Sequence, residues 1–352
     1  MGLLKQKRDF HIPEDGMDLV DELVIGGFKQ TILIQGEKKE NPILLFLHGG
    51  PSMPLPGVAN RGTDYTVATN IAELVKHFNV VFWDQRGTGK SFHKDIPKES
   101  MNFDQLTSDA NELIDQLIKR FDQEKIFLAA HSAGTIIGLN LVKKYPEKII
   151  SYVGLSQIIS WTENDKLCYQ WMLEEAKERG NAKALQELQA VGEPPYIESY
   201  KQWSVLRKWQ TRFNTMVYSD DEIKHPGLLN VSKPMLQSKD YRLKDIFNTF
   251  YKGFKLIYTQ HFIEKLPAIN FKETVEDISV PVTFIHGRKD VHVHGRLVED
   301  FFQRLDSKRG KKLIWMEKSA HLFHPDDTKL IEQVLIKEKK YMSSGYDEIS
   351  VS

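Results

Sequence analysis

The chain has 352 residues, 41% of them hydrophobic and 27% charged, the balance of a soluble globular protein long enough for one large core or two medium ones. Lys+Arg and Asp+Glu both number 48, so no net charge draws it toward phosphate backbones or anionic membranes, and neither nucleic acid nor membrane is an expected partner. Cys168 is the single cysteine, which excludes a disulfide within the chain and a thiolate zinc site. With no run of about 18 apolar residues and no signal-peptide core near residue 1, a cytoplasmic location is expected.

In chain order, 19–25 and 31–34 read as two strands joined through Gly26-Gly27, an antiparallel hairpin at a sheet edge. Ile43–Leu47 is an unbroken apolar strand that runs straight into His48-Gly49-Gly50-Pro51-Ser52. Its paired glycines let the backbone approach another group closely. A helical stretch is expected over 65–77, then a strand over 80–83, then Asp84-Gln-Arg-Gly-Thr-Gly-Lys-Ser91. Gly89-Lys90-Ser91 imitates the end of a phosphate-binding loop. However, Asp84 stands where the first glycine is needed, and the residues beyond Ser91, Pro97 among them, start no helix. The loop is read as structural, with Asp84 and Arg86 bonding the backbone around them.

Phe103–Phe121 carries Leu106, Leu113, Ile114, Leu117 and Ile118 at helical spacing. The next strand, 126–130, breaks at His131-Ser132-Ala133-Gly134 into an apolar helix over 135–142. That leaves a serine at the tip of a tight strand-to-helix turn, the G-x-S-x-G pattern of a nucleophile elbow with Ala130 in place of the first glycine. Standing alone, Ser132 would read more readily as a helix N-cap than as a catalytic serine. A strand over 149–155 follows, and the repeated alternation of strand and helix argues for a mostly parallel sheet covered on both faces.

The alternation then stops. Residues 156–276 are helical and amphipathic with no expected strand, and hold four of the six tryptophans: Trp161, Trp171, Trp203 and Trp209. The expected organisation is an α/β core in two parts, 1–155 and 277–352, with 156–276 inserted after the sixth strand as a helical lid, or cap. Most of the tryptophans should build the insertion's own core, and the remainder should line an apolar pocket between the layers.

Alternation resumes with a strand over 280–285, then His286-Gly-Arg-Lys-Asp290, a helix over 295–305, a strand over 312–316, and Glu317-Lys-Ser-Ala-His321. Ser132, Asp290 and His321 each fall just past a strand's carboxyl end, the side of such sheets where ligands bind. Their order along the chain is that of the α/β-hydrolase triad. His324 precedes Pro325 at a helix start, so His321 is the preferred base. His286, His292 and His294 gather near Asp290, but no further carboxylate or thiolate joins them, and no metal site is expected.

Together HGGPS (48–52), DQRGTGKS (84–91), AHSAG (130–134), GRKD (287–290) and SAH (319–321) resemble the proline iminopeptidase group of α/β-hydrolases, over roughly residues 30–155 and 278–340. The resemblance implies a peptidase that removes an amino-terminal proline, with Ser132 as nucleophile and the substrate amine held by glutamates of the lid. Two positions depart from the group. Ala133 stands where a tryptophan usually follows the serine, and Lys208-Trp209-Gln210 offers a neutral amide where a Trp-Glu pair would supply a carboxylate. Trp209, Gln210 and Glu163 are the candidate substrate contacts, with Glu174 and Glu222 as other lid acids.

The chemistry expected of this set is acyl transfer. Ser132 attacks a carbonyl, His321 takes its proton, and Asp290 orients the imidazole. The N–H groups of Ala133 and Gly50 bind the oxyanion, Gly49 ranking behind Gly50. Water then releases the acyl-enzyme, without cofactor or metal. Three functions compete: a proline iminopeptidase-like aminopeptidase, a carboxylesterase or amidase, and a non-catalytic ligand-binding homologue. The expected partner is a small molecule or short peptide.

Overall fold

The computed structural model describes residues 8–217 and 232–343. Glu222 and most of the polar tail after Tyr341 lie outside the described residues. Eight strands, β1 (Met17–Ile25), β2 (Phe28–Gly36), β3 (Ile43–Leu47), β4 (Asn79–Asp84), β5 (Ile126–His131), β6 (Ile149–Leu155), β7 (Val282–Gly287) and β8 (Lys311–Met316), form one sheet in the order β1-β2-β4-β3-β5-β6-β7-β8. β1 and β2 make the expected hairpin, and β2 also runs antiparallel to β4. From β4 to β8 all pairs are parallel.

Every residue of β3 to β7 is buried, because helices cover both faces; that is why these strands read as continuous apolar runs. Side chains alternate between two apolar layers. Leu45, Val81 and Leu128 face one layer with α2 (Phe103–Phe121), α3 (Gly134–Lys144) and helix Gly295–Arg304. Leu44, Val80 and Phe127 face the other, with α1 (Leu74–His77) and helix Pro325–Lys337. The α/β fold class expected from the strand–helix alternation is therefore the one observed.

The helix expected over 65–77 is not. Only α1, its last turn, forms. Upstream, side chains take the backbone's donors: the Asp64 carboxylate accepts from Ile71 and Ala72 N–H at 3.0 and 2.8 Å, and the Thr66 hydroxyl accepts from Thr69 N–H at 3.1 Å. Such local bonds compete with the helical ladder.

Between β6 and β7 the described chain leaves the sheet and comes back through a narrow neck. Trp161 N–H donates to the Ile269 carbonyl at 3.0 Å, and Phe271 N–H donates to that of Ile159 at 2.8 Å. The excursion comprises α4 (Trp161–Glu178), α5 (Ala182–Val191), α6 (Tyr200–Phe213) and short helical pieces running from Lys233–Gln237 to Phe271–Thr274. Among the described residues no helix is long and apolar enough to cross a membrane.

The loop after β4 is a brace. Asp84 accepts from Val58 N–H at 3.1 Å, Lys90 N–H at 3.0 Å and the Tyr241 hydroxyl. Arg86 donates to the Gly26 carbonyl at 2.8 Å, but its main partner is the buried carboxylate of Asp109, gripped at 2.6 and 2.9 Å. Burial pushes the pKa of Asp84 up to about 6, against the pull of its three donors. A carboxyl whose folded pKa lies above its unfolded value of about 3.9 contributes most below that value, and loses the contribution as pH rises through the folded one. Urea unfolding of wild type and Asp84→Asn should therefore show the wild type losing stability relative to the variant between about pH 4 and about pH 6, then no further change. A difference that stays constant across that window contradicts the assignment.

Candidate active site

Ser132 follows β5 directly, with Gly134 opening α3. To reverse direction in so few residues the chain places Ser132 at φ 55°, a left-handed conformation that costs a non-glycine residue on the order of 1 kcal/mol or more. The surrounding backbone holds it there. Ser132 N–H donates to the Leu155 carbonyl of β6 at 3.0 Å, and its own carbonyl accepts from Thr135 N–H at 2.8 Å and from the Thr135 hydroxyl at 2.5 Å. Room for the turn comes from glycine. A Cβ on Gly134 would stand 2.5 Å from the Leu47 carbonyl oxygen and 2.6 Å from that of His48.

Ser132 Oγ lies 2.8 Å from His321 Nε2, and His321 Nδ1 lies 3.0 Å from Asp290 Oδ2. A carboxylate can only accept, so Nδ1 carries the proton and Nε2 presents its lone pair to the serine hydroxyl. The other oxygen of Asp290 accepts from His292 and Val293 N–H at 2.9 and 2.8 Å. Burial alone would raise the pKa of Asp290, but the imidazole and these donors outweigh it and hold the group well below the usual carboxylate range. Ser132, Asp290 and His321, each predicted past a strand end, are thus brought together.

The glycine-rich turn after β3 lies against the elbow. A Cβ on Gly49 would stand 2.8 Å from Ser132 Cβ and 3.3 Å from Ser132 Oγ. Gly50, at φ 114°, turns the chain toward Pro51. Among the described residues, no acceptor meets the N–H of Ala133 or of Gly50. The turn is pinned from behind by His48, whose Nδ1–H donates to the Gly49 carbonyl at 2.8 Å while Nε2 accepts from Gln85 N–H at 3.2 Å. Gln85 Nε2 returns a bond to the His48 carbonyl at 3.1 Å. The HGGPS and DQRG motifs therefore form one brace, and burial keeps His48 neutral with its pKa lowered to about 4.

A cavity of about 490 Å³ opens over Ser132 and His321, within the usual range for a small-molecule site. Gly50, Ile158, Trp161, Trp203, Phe254 and Tyr258 are among the residues of its wall. The three expected substrate contacts are not. Trp209 is buried within the insertion, tilted on Phe213 with its indole N–H on Glu187. Gln210 is buried too and accepts from Arg207 Nη1 at 2.8 Å. Glu163 pairs with Lys272 away from the cavity. A helix of period 3.6 shows which residues share a face, but not which neighbour that face meets, and here the Trp209 face packs inward. Glu174, another candidate lid acid, is also absent from the wall.

Sequence reasoning missed four residues. Asp165 and Arg207 do line the cavity, and Arg207 Nη2 donates to both oxygens of Asp165 at 2.6 and 2.8 Å. Nothing in the spacing of residues on two separate helices signals that pairing. The His131 ring lies tilted against that of His321 with centroids 5.1 Å apart, and its Nε2–H donates to the His321 carbonyl at 2.9 Å. His292 lies on the cavity wall with its ring 4.6 Å from that of His321. Both were visible as neighbours of triad residues. His286 and His294, the other histidines near Asp290, serve locally: His286 Nε2–H donates to the Val293 carbonyl at 2.8 Å, and His294 precedes helix Gly295–Arg304. His324 caps helix Pro325–Lys337, its Nδ1 accepting from Asp326 N–H at 3.1 Å.

The close approach at Gly49 makes a direct prediction. Gly49→Ala must push the turn away from Ser132, and displacements of about 1 Å at a reacting centre cost on the order of 100-fold in rate. Steady-state hydrolysis of 4-nitrophenyl acetate should show that loss mainly in kcat; an unchanged kcat contradicts the role given to the turn.

Known proteins similar to this chain agree with the geometry. The family model for serine aminopeptidase, S33, matches residues 66–222. The chain is 29% identical over 332 residues to a protein of Bacillus subtilis (strain 168) named "Probable aminopeptidase YbaC", covering 94% of this chain and 99% of the relative. The proline iminopeptidase-related protein TTHA1809 of Thermus thermophilus superposes with a TM-score of 0.60 at 16% identity, over 92% of this chain and 98% of that one. The epoxide hydrolase VrEH1 of Vigna radiata superposes with a TM-score of 0.53 at 20% identity, over 94% and 98%. At such identities the two solved structures speak to the fold alone.

Proposed function

We propose that this chain, which has the α/β-hydrolase fold, is a serine hydrolase that works through an acyl-enzyme, acting as an aminopeptidase of the proline iminopeptidase kind. The observation that carries the proposal is the unbroken line of hydrogen bonds from Ser132 through His321 to Asp290 at the floor of a cavity. That line also argues against a non-catalytic binding protein. Similarity to the S33 aminopeptidases and to a protein named as a probable aminopeptidase supports the peptidase assignment.

In the proposed reaction His321 Nε2 removes the hydroxyl proton as Ser132 Oγ attacks the substrate carbonyl. Asp290 stabilises the imidazolium that results. The N–H groups of Ala133 and Gly50 receive the oxyanion, each donor contributing about 3 kcal/mol to the transition state. His321 passes its proton to the leaving group, water enters the vacated space, and the same imidazole activates it to release the acyl group. This chemistry asks for neither metal nor organic cofactor. The described parts of 156–276 serve as a cap over the cavity, reaching the core turn through the Tyr258 hydroxyl, which donates to the Gly50 carbonyl at 3.1 Å. We place the protein in the cytoplasm, where the buried thiol of Cys168 stays reduced.

One observation favours an esterase or amidase instead. Among the described residues, Asp165 is the one carboxylate that lines the cavity, and Arg207 occupies both of its oxygens. The readings separate in two assays. A fluorophosphonate probe should label wild type at Ser132 and leave Ser132→Ala unlabelled; a wild-type protein that stays unlabelled is not a serine hydrolase of this kind. Turnover of Pro-arylamide in preference to short-chain aryl esters supports the aminopeptidase. Strong ester turnover with no Pro-arylamide cleavage eliminates it.

A further inference from the structure

One wall of the cavity has an unusual balance of hydrogen-bonding groups. Arg207, at 20% side-chain exposure, is held by four neighbouring side chains. Its Nη2 is held by Asp165 and its Nη1 by Gln210, and the guanidinium carbon lies 5.5 Å from the ring centre of Trp161 and 5.1 Å from that of Trp203. An arginine bracketed in this way loses little freedom when it meets a ligand. Its Nε–H has no acceptor among the described residues, and Nη1 has a second hydrogen to give.

Trp203 is buried on the same wall, and its indole N–H also lacks an acceptor. The indole N–H of Trp161 leans toward Asp165 without completing a hydrogen bond. Buried donors without acceptors are costly and infrequent in folded proteins. Here they collect around a cation whose carboxylate partner already accepts from it on both oxygens. A substrate ammonium at this wall meets a guanidinium of like charge; a substrate carboxylate meets an opposite charge with N–H groups left to give.

We propose that the Arg207–Trp203 wall is a carboxylate-recognition subsite, so that the preferred substrates are small amides or esters bearing a free carboxylate. The proposal rests on the reading of Ser132 as an acyl-transfer nucleophile, and it deepens that reading by naming the substrate class. Arg207 acts on binding and takes no part in bond making. Asp165 and Gln210 hold its planar fork in place, which an arginine uses better than a lysine would. A carboxylate can arrive on the leaving group, as in a dipeptide with a free C-terminus, or on the acyl group, as in a dicarboxylic half-ester.

Two matched pairs test both cases on the full-length protein. Pro-Ala is compared with Pro-Ala amide, and the mono-4-nitrophenyl ester of adipic acid with 4-nitrophenyl hexanoate. In wild type the ratio of kcat/KM, charged over neutral, should be about tenfold or more in at least one pair, the gain expected of a charge-assisted contact. In Arg207→Met that ratio should fall toward one. Because this variant leaves Asp165 buried without its partner, Asp165→Asn/Arg207→Met is measured beside it and should lose the ratio as well. The ratio is independent of how much of a preparation is folded, so a merely structural role for the ion pair would leave it unmoved. A wild-type ratio near one in both pairs, or one that survives in both variants, overturns the subsite. If no member of either pair is turned over and Ser132 resists the fluorophosphonate, the hydrolase reading fails first and the subsite with it.

Discussion

Three lengths of backbone meet at Ser132, and the rest of the structure is arranged to let them. The end of β3, the end of β5 and the start of α3 come within contact distance only because Gly49 and Gly134 lack side chains. A methyl group at either would collide with neighbouring backbone or with the serine itself. In return the serine sits at φ 55° at the sheet's carboxyl edge, hydroxyl toward His321. The buried sheet supplies the stiffness: β3, β5 and β6 are parallel neighbours, and β6 fixes Ser132 through its N–H. Strain of this kind persists only where the surroundings overdetermine it.

Around that point each functional group is held by a second group. Asp290 fixes the tautomer of His321, and backbone donors fix Asp290. His131 anchors the carbonyl of His321, and burial lowers its pKa to about 3, so it remains neutral beside the base. His48 and Gln85 stiffen the glycine turn from below, and Tyr258 holds it from the insertion. Preorganisation at this density lets a site stabilise charge without moving at the moment of reaction.

Much of this was legible in the sequence because it is local. A buried strand, a tight turn and a helix leave their marks within about fifteen residues, so the core strands, the elbow and the order Ser132, Asp290, His321 could be read directly. The helix expected over 65–77 failed for a reason equally local: Asp64 and Thr66 offer the backbone other partners. The insertion was opaque for a different reason. Trp209, Gln210 and Glu163 stood out by likeness to lid residues elsewhere, yet the cavity is walled by Asp165, Trp203 and Arg207. Which face of α4 or α6 turns to the cavity depends on how the helices pack on one another, and no spacing along the chain records that. Arg207 hides further, since surface arginines on amphipathic helices are ordinary and only its partners make this one unusual.

The account stands on a proton passing from residue 132 to residue 321 while an acyl group is held covalently. Rapid mixing of the protein with 4-nitrophenyl acetate, with acid quenching and peptide mass analysis, tests this most directly. The account predicts a burst of close to one nitrophenol per chain, with an acetyl adduct on the peptide that contains Ser132 and neither feature in Ser132→Ala. Steady release of nitrophenol with no burst and no adduct at Ser132, from a protein that still turns over, would contradict it.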